Sequence, residues 1–171
     1  SSWRSYSRKS RLQRFCKAHR GASECSGPPE KIGGDSVVYF EKANVAHMGD
    51  LMFNRAYPFI DTNGGANITN WIQVLRKTVE ELENDTIYIY GHGNSEFGIT
   101  GNKDDLILKS NFLEALLEYT QKGINEGKSK EEIAKAEVIP GFEVFKAPGW
   151  GLTLSRNIEA AYEELSSSYD R

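Results

Sequence analysis

The chain has 171 residues, 39% of them hydrophobic and 26% charged, with a formal net charge of −3. That length supports one domain with a real core and not two comfortable ones. The weak net charge points to no particular partner. No apolar run approaches the roughly 20 residues a membrane-spanning helix needs, so the expectation is a soluble protein of the cytoplasm or periplasm.

Charge is unevenly distributed. Residues 1–31 carry eight Lys or Arg side chains and two acids, so a basic arm precedes an acidic body. The arm, taken as residues 1–32, is rich in Ser and Arg, has few aliphatic residues and shows no clear period. Such a segment buries too little apolar surface to offset its ordering entropy, and it is expected to be irregular. Its arginines interleave with Trp3, Tyr6 and Phe15, a mixture that can contact nucleic acid. A solvated tail is the plainer reading, and nucleic acid is not an expected partner. Cys16 and Cys25 also lie here, as a bridge in an oxidising compartment or as two free thiols.

Residues 33–171 read as the folded body. Ser36 to Phe40 and Val45 to Met48 are β-rich apolar runs across a short turn, which predicts a hairpin. Gly49 permits a sharp exit from the second strand. After the Asn63-Gly64-Gly65 loop, Asn67 or Thr69 can cap a helix running to about Glu83, with Ile68, Trp71, Ile72, Leu75 and Val79 at helical spacing. Thr86 to Tyr90 predicts a strand buried on both faces and ending at Gly91. A long helix is expected from Asp104 to about Gly127. A short one follows, capped by Ser129 and stopped by Pro140-Gly141. A last helix should run from about Leu154 to Leu165. The order of strands and helices is α/β.

Two places carry candidate chemistry. One is His47-Met48-Gly49-Asp50, the other Tyr90-Gly91-His92-Gly93. Each sets a potential metal ligand at a strand end beside glycine, where the support is rigid and the backbone can approach closely. An Asp carboxylate can bridge two divalent cations, and a neutral imidazole supplies one nitrogen. A dinuclear site activates water for attack on a carbonyl. On pattern alone, Gly-Asp also reads as a turn and Gly-His-Gly as a loop.

The runs Gly34 to Phe40 and Asn44 to Phe53, then Tyr57 to Asp61, the Gly64-Gly65 loop before a Trp71-Ile72 helix, and Thr86 to Gly93 together resemble the metallo-β-lactamase superfamily, with its glyoxalase-II-like hydrolases. The resemblance spans roughly residues 33–165 and matches the C-terminal half of the family domain. It implies half of an αββα sandwich, a mixed sheet with helices on one face. It also implies zinc, with Asp50 as the bridging carboxylate and His92 as the last histidine ligand. His47 matches a position that is not a ligand. The implied activity is zinc-dependent hydrolysis of an ester, thioester or amide in a small-molecule substrate.

The family's His-x-His-x-Asp-His motif appears nowhere in the chain, and Lys31 stands where another ligand histidine is expected. Zinc takes three or four protein groups, so two donors leave the site incomplete. The isolated chain is therefore expected to be inactive and to pair with itself or a completing subunit. The alternative is a non-catalytic remnant serving as an oligomeric or binding module. The abrupt start of family-like text at Gly33-Gly34 fits a recombined or frame-shifted join.

Overall fold

The structure is a computed structural model that describes the backbone of residues 14–19 and 22–25 and all of residues 35–167. The strands are β1 (Arg14–His19), β2 (Ala22–Cys25), β3 (Ser36–Phe40), β4 (Val45–His47), β5 (Ile87–Asn94) and β6 (Gly98–Gly101). The helices are α1 (Ile68–Glu81), α2 (Lys103–Asn125), α3 (Lys130–Ile133) and α4 (Leu154–Ser167). The strands form one mixed sheet in the order β2-β1-β3-β4-β5-β6, and the fold is α/β.

The expected hairpin is the antiparallel pair β3–β4, turned by Asn44 in the left-handed region. Asn44 also takes hydrogen bonds from Tyr39 and Thr86 and donates one to Asp85, which ties the turn to the start of β5. Alternation along the strands sorts their side chains onto two faces. Tyr39, Ala46 and Tyr88 stand in one cross-strand row. With Val37 and Tyr90 they pack against Trp71, Leu75, Leu106, Leu113 and Ile158 in a single core. Each large side chain buried there contributes about 1.5–3 kcal/mol.

The other face carries Phe40, Val45 and Ile87 in one row and Val38, His47, Ile89 and Thr100 in the next. Phe40 and Ile87 are exposed. The strand expected to be buried on both faces is thus covered on one. Helices from the described residues pack on the inner face alone.

The helices follow their caps. Asn67 accepts from the Asn70 amide at the start of α1. Asn102 and Asp105 form a reciprocal capping box on α2, as Ser129 and Glu132 do on α3. The latter helix ends at Ile133, well before Pro140. Two further features differ from expectation. β5 continues through Gly91 to Asn94, and a short β6 pairs with it. In the arm, Arg14–His19 and Ala22–Cys25 are strands, not irregular chain: β1 adds in parallel to the edge of β3, which supplies the unpaired backbone groups that ordering needs. Cys16 and Cys25 occupy paired positions of β1 and β2. Trp3, Tyr6, Lys31 and the Gly33-Gly34 boundary lie outside the described residues.

Candidate metal centre

The site forms just past the end of β4, beside the stretch in which its parallel neighbour β5 continues through Gly91. Met48 donates its amide to the Ile89 carbonyl at 2.8 Å, which keeps the chain beside β5 after β4 ends. Gly49 then takes φ of +51°, the left-handed conformation in which glycine is unstrained, and starts a single turn through Leu51. The turn is pinned from below by the Trp71 indole, which donates to the Leu51 carbonyl at 3.0 Å. Residues 52–54 then lie along β5: His92 donates to the Met52 carbonyl, and Asn54 donates to the His92 carbonyl at 3.0 Å. These bonds carry β5 past Gly91.

The result is one juxtaposition. Asp50 Oδ1 and His92 Nε2 are 3.1 Å apart. They are the two residues named as metal donors from the sequence, brought together from positions 42 apart in the chain. Asp50 is largely exposed and His92 one-third exposed, so the pair faces solvent. His47 is elsewhere: it stands on the outer face of the sheet, and its Nδ1 accepts the Gly49 amide at 3.2 Å. Asp61 accepts from the Gly64 amide and shapes the loop before α1.

The contact is a direct hydrogen bond between the two side chains, a little shorter than the separation of two donors on one cation. Two donors about 2.1 Å from a tetrahedral zinc stand about 3.4 Å apart. Asp50 and His92 would supply two of the three or four ligands such an ion takes. Among the described residues, no group of three or more His, Cys, Asp or Glu side chains is close enough to hold a metal.

The surroundings hold the imidazole rigidly. Phe53 stacks on the His92 ring, centroid to centroid at 4.1 Å and 16° between planes. Trp150 meets the same ring edge-on at 5.8 Å. Beneath Phe53 lies Lys109, fully buried among Phe53, Trp71, Phe112 and Phe145, with one hydrogen bond, to the Ala56 carbonyl at 3.1 Å. Burial pulls its ammonium down to about 7. Next to it Arg55 pairs with Asp105 at 2.8 Å. Tyr90 donates to Asp105 at 2.9 Å, and burial followed by that bond pushes the phenol up.

The sequence reading missed Phe53, Lys109 and Trp150 as parts of this centre. Lys109 had a signal: it falls three residues after Leu106 and four before Leu113, on the apolar stripe of α2. Trp150 had one too, as a lone indole between two glycines.

No family model matches the chain, and no curated protein matches it. Among solved structures, a double mutant of the sec-alkyl sulfatase PisA1 is similar, with a TM-score of 0.56 and 20% sequence identity. The match covers 77% of this chain and 22% of the sulfatase chain. At that identity the likeness is one of fold, over most of this chain and less than a quarter of the sulfatase. Among the described residues, no helix is long and apolar enough to cross a membrane.

Proposed function

We propose that this chain supplies half of the active site of a zinc-dependent hydrolase of the metallo-β-lactamase type, with Asp50 and His92 as its two metal donors. The observation that carries this reading is the 3.1 Å approach of Asp50 Oδ1, in the turn after β4, to His92 Nε2 on the neighbouring parallel strand β5. When bound, zinc supplies Lewis-acid polarisation of the scissile group and activation of water. The chain's own residues orient and confine. Phe53 fixes the plane of the His92 ring, and Gly49 aims the Asp50 carboxylate at it. The proposed substrate is a small molecule with an ester, thioester or amide bond. The name of the sulfatase neighbour adds sulfate esters to that set.

Two donors do not complete a zinc site, so the active form needs further ligands from a second copy or a completing subunit, and the isolated chain is inactive. The outer face of the sheet is the natural docking surface for it, with Val38, Phe40, Val45, Ile87 and Ile89 in adjoining rows. That same face supports a second reading, in which the chain is a non-catalytic binding module and the Asp50–His92 pair is a surface ion pair.

Elemental analysis of the purified, tag-free protein after zinc equilibration separates the two. Zinc bound by the wild type and lost in Asp50→Ala and His92→Ala supports the metal half-site. Absence of zinc from the wild type at saturating metal rejects a half-site completed by a second copy and favours the binding module.

A further inference from the structure

Trp150 is the most exposed large hydrophobic side chain among the described residues, 76% accessible. Single exposed apolar residues are common and need no explanation. This one is distinguished by its backbone and by its neighbour. Gly149, Trp150 and Gly151 all have positive φ, at 97°, 53° and 72°. Glycine adopts that region freely, but a bulky residue there is an outlier of the kind found where a side chain is held for use. Leu152 closes the loop by donating to the Gly149 carbonyl at 3.0 Å. Leu152 is itself buried with Phe53 and Ala56, so the loop is anchored to the ring that stacks on His92. Phe53 thus covers one face of the imidazole from the interior, and the exposed Trp150 ring makes a T-shaped contact with it.

The geometry points to Trp150 as the apolar wall of the substrate site, contacting an aryl or alkyl substituent next to the bond held at Asp50 and His92. This rests on the hydrolase reading and narrows it to substrates whose acyl group is aromatic or carries an alkyl chain. A flat, rigid indole offers a large contact area with little rotamer entropy to lose. Its ring lies 5.8 Å from the His92 ring and is largely accessible, so a group resting on the indole sits within reach of the donor pair. An acetyl group would reach little of that face.

The test uses binding by the whole chain, because hydrolysis awaits the missing ligands. The probes are phenylacetate and octanoate, the carboxylates that hydrolysis of such substrates releases, with acetate as control. Tryptophan fluorescence and amide chemical shifts are followed during titration. The expected result is saturable binding of both apolar probes, with shifts at residues 149–151 and His92, and no saturation by acetate. Trp150→Ala should weaken binding at least tenfold, while Trp150→Phe retains most of it, with melting curves showing that both variants fold. Equal affinity in Trp150→Ala, shifts that map elsewhere, or acetate binding as well as octanoate would overturn the proposal. Zinc uptake by the wild type and by Asp50→Ala/His92→Ala is measured on the same preparations. A zinc failure rejects the metal reading, whereas apolar binding that ignores Trp150 rejects this inference alone.

Discussion

Gly91 and Gly49 touch through their backbones, and that contact sets the distance between Asp50 and His92. A Cβ placed on Gly91 would stand 2.5 Å from the Gly49 carbonyl oxygen and 3.0 Å from Asp50 Oδ1. Neither neighbour can yield cheaply, since one is backbone at a left-handed turn and the other is a member of the pair. Glycine at position 91 is what allows the turn to cross β5 closely enough for the carboxylate to reach the imidazole.

Gly91→Ala should therefore push the Gly49–Leu51 turn away from β5 and open the Asp50–His92 pair. The expected cost in unfolding free energy is about 1–3 kcal/mol, the usual range for overpacking. Zinc uptake should fall with it. Urea unfolding and zinc equilibration on the same variant check both. A variant as stable as the wild type, with unchanged zinc, would show that the contact relaxes without consequence.

Lys109 gives a pH dependence whose sign is fixed. Its folded value is lowered to about 7 by burial from an ordinary 10.5. Between those values the unfolded chain binds a proton that the folded chain does not, so stability rises with pH across that window. The penalty for burying the ammonium is fully present below about pH 7 and is gone above about 10.5. The slope attributable to this one group is about 1.4 kcal/mol per pH unit. Lys109→Met keeps similar bulk among the four aromatic rings and removes the charge. Its stability relative to wild type should be greatest at or below neutral pH, by a few kcal/mol at most, and should decline towards pH 10. Denaturant melts of the two proteins at a series of pH values give that difference directly, and a flat difference would contradict the assignment.

The contrast between Asp50 and Lys109 shows what sequence can and cannot convey. Asp50 and His92 were legible because each follows a strong β-run and adjoins glycine, and the parallel pairing of β4 with β5 then brings the turn after β4 alongside His92. The helices were legible from apolar spacing and from Asn67, Asn102 and Ser129 at their starts. β6 was not, because Ile99 and Thr100 are a run of only two β-favouring residues between glycines, and the strand exists through its pairing with β5. The continuation of β5 past Gly91 depends on backbone bonds to Met52 and Asn54, which no local pattern announces. Ile87 and Ile89 look like core residues in a continuous apolar run. Which face is covered is decided by helices elsewhere in the chain.

Tyr88 offers a test of the core's polar accounting. Its ring is fully buried, and its hydroxyl has no hydrogen-bond partner among the described residues. Burial pushes that phenol up to about 12, so it stays protonated and unpaired at neutral pH. An unpaired buried hydroxyl costs about 1–3 kcal/mol. Tyr88→Phe removes the oxygen and leaves the ring contacts in place. Thermal melts should show stability unchanged or raised by about 1 kcal/mol. A clear loss would mean that the hydroxyl is hydrogen-bonded in the folded protein.

Glu164 acts far from its sequence neighbourhood. It sits near the end of α4, yet its carboxylate accepts from the Ile68 amide at 2.5 Å, the Thr69 amide at 3.0 Å and the Thr69 hydroxyl at 2.7 Å. The first amides of α1 have no partners within their own helix, and a carboxylate also answers the positive end of the helix dipole. Asn67 satisfies only the Asn70 amide, so Glu164 completes the cap from 96 residues away. Glu164→Ala should destabilise the fold by about 1–2 kcal/mol, the usual cost of losing a cap. Glu164→Gln, which keeps an acceptor oxygen without the charge, should recover part of that loss. Because α1 carries Trp71, whose indole holds the Leu51 carbonyl beneath the Asp50 turn, the loosened helix should also raise amide exchange at residues 49–51. Faster exchange confined to residues 68–70 would show that the cap stabilises the helix without bracing the site.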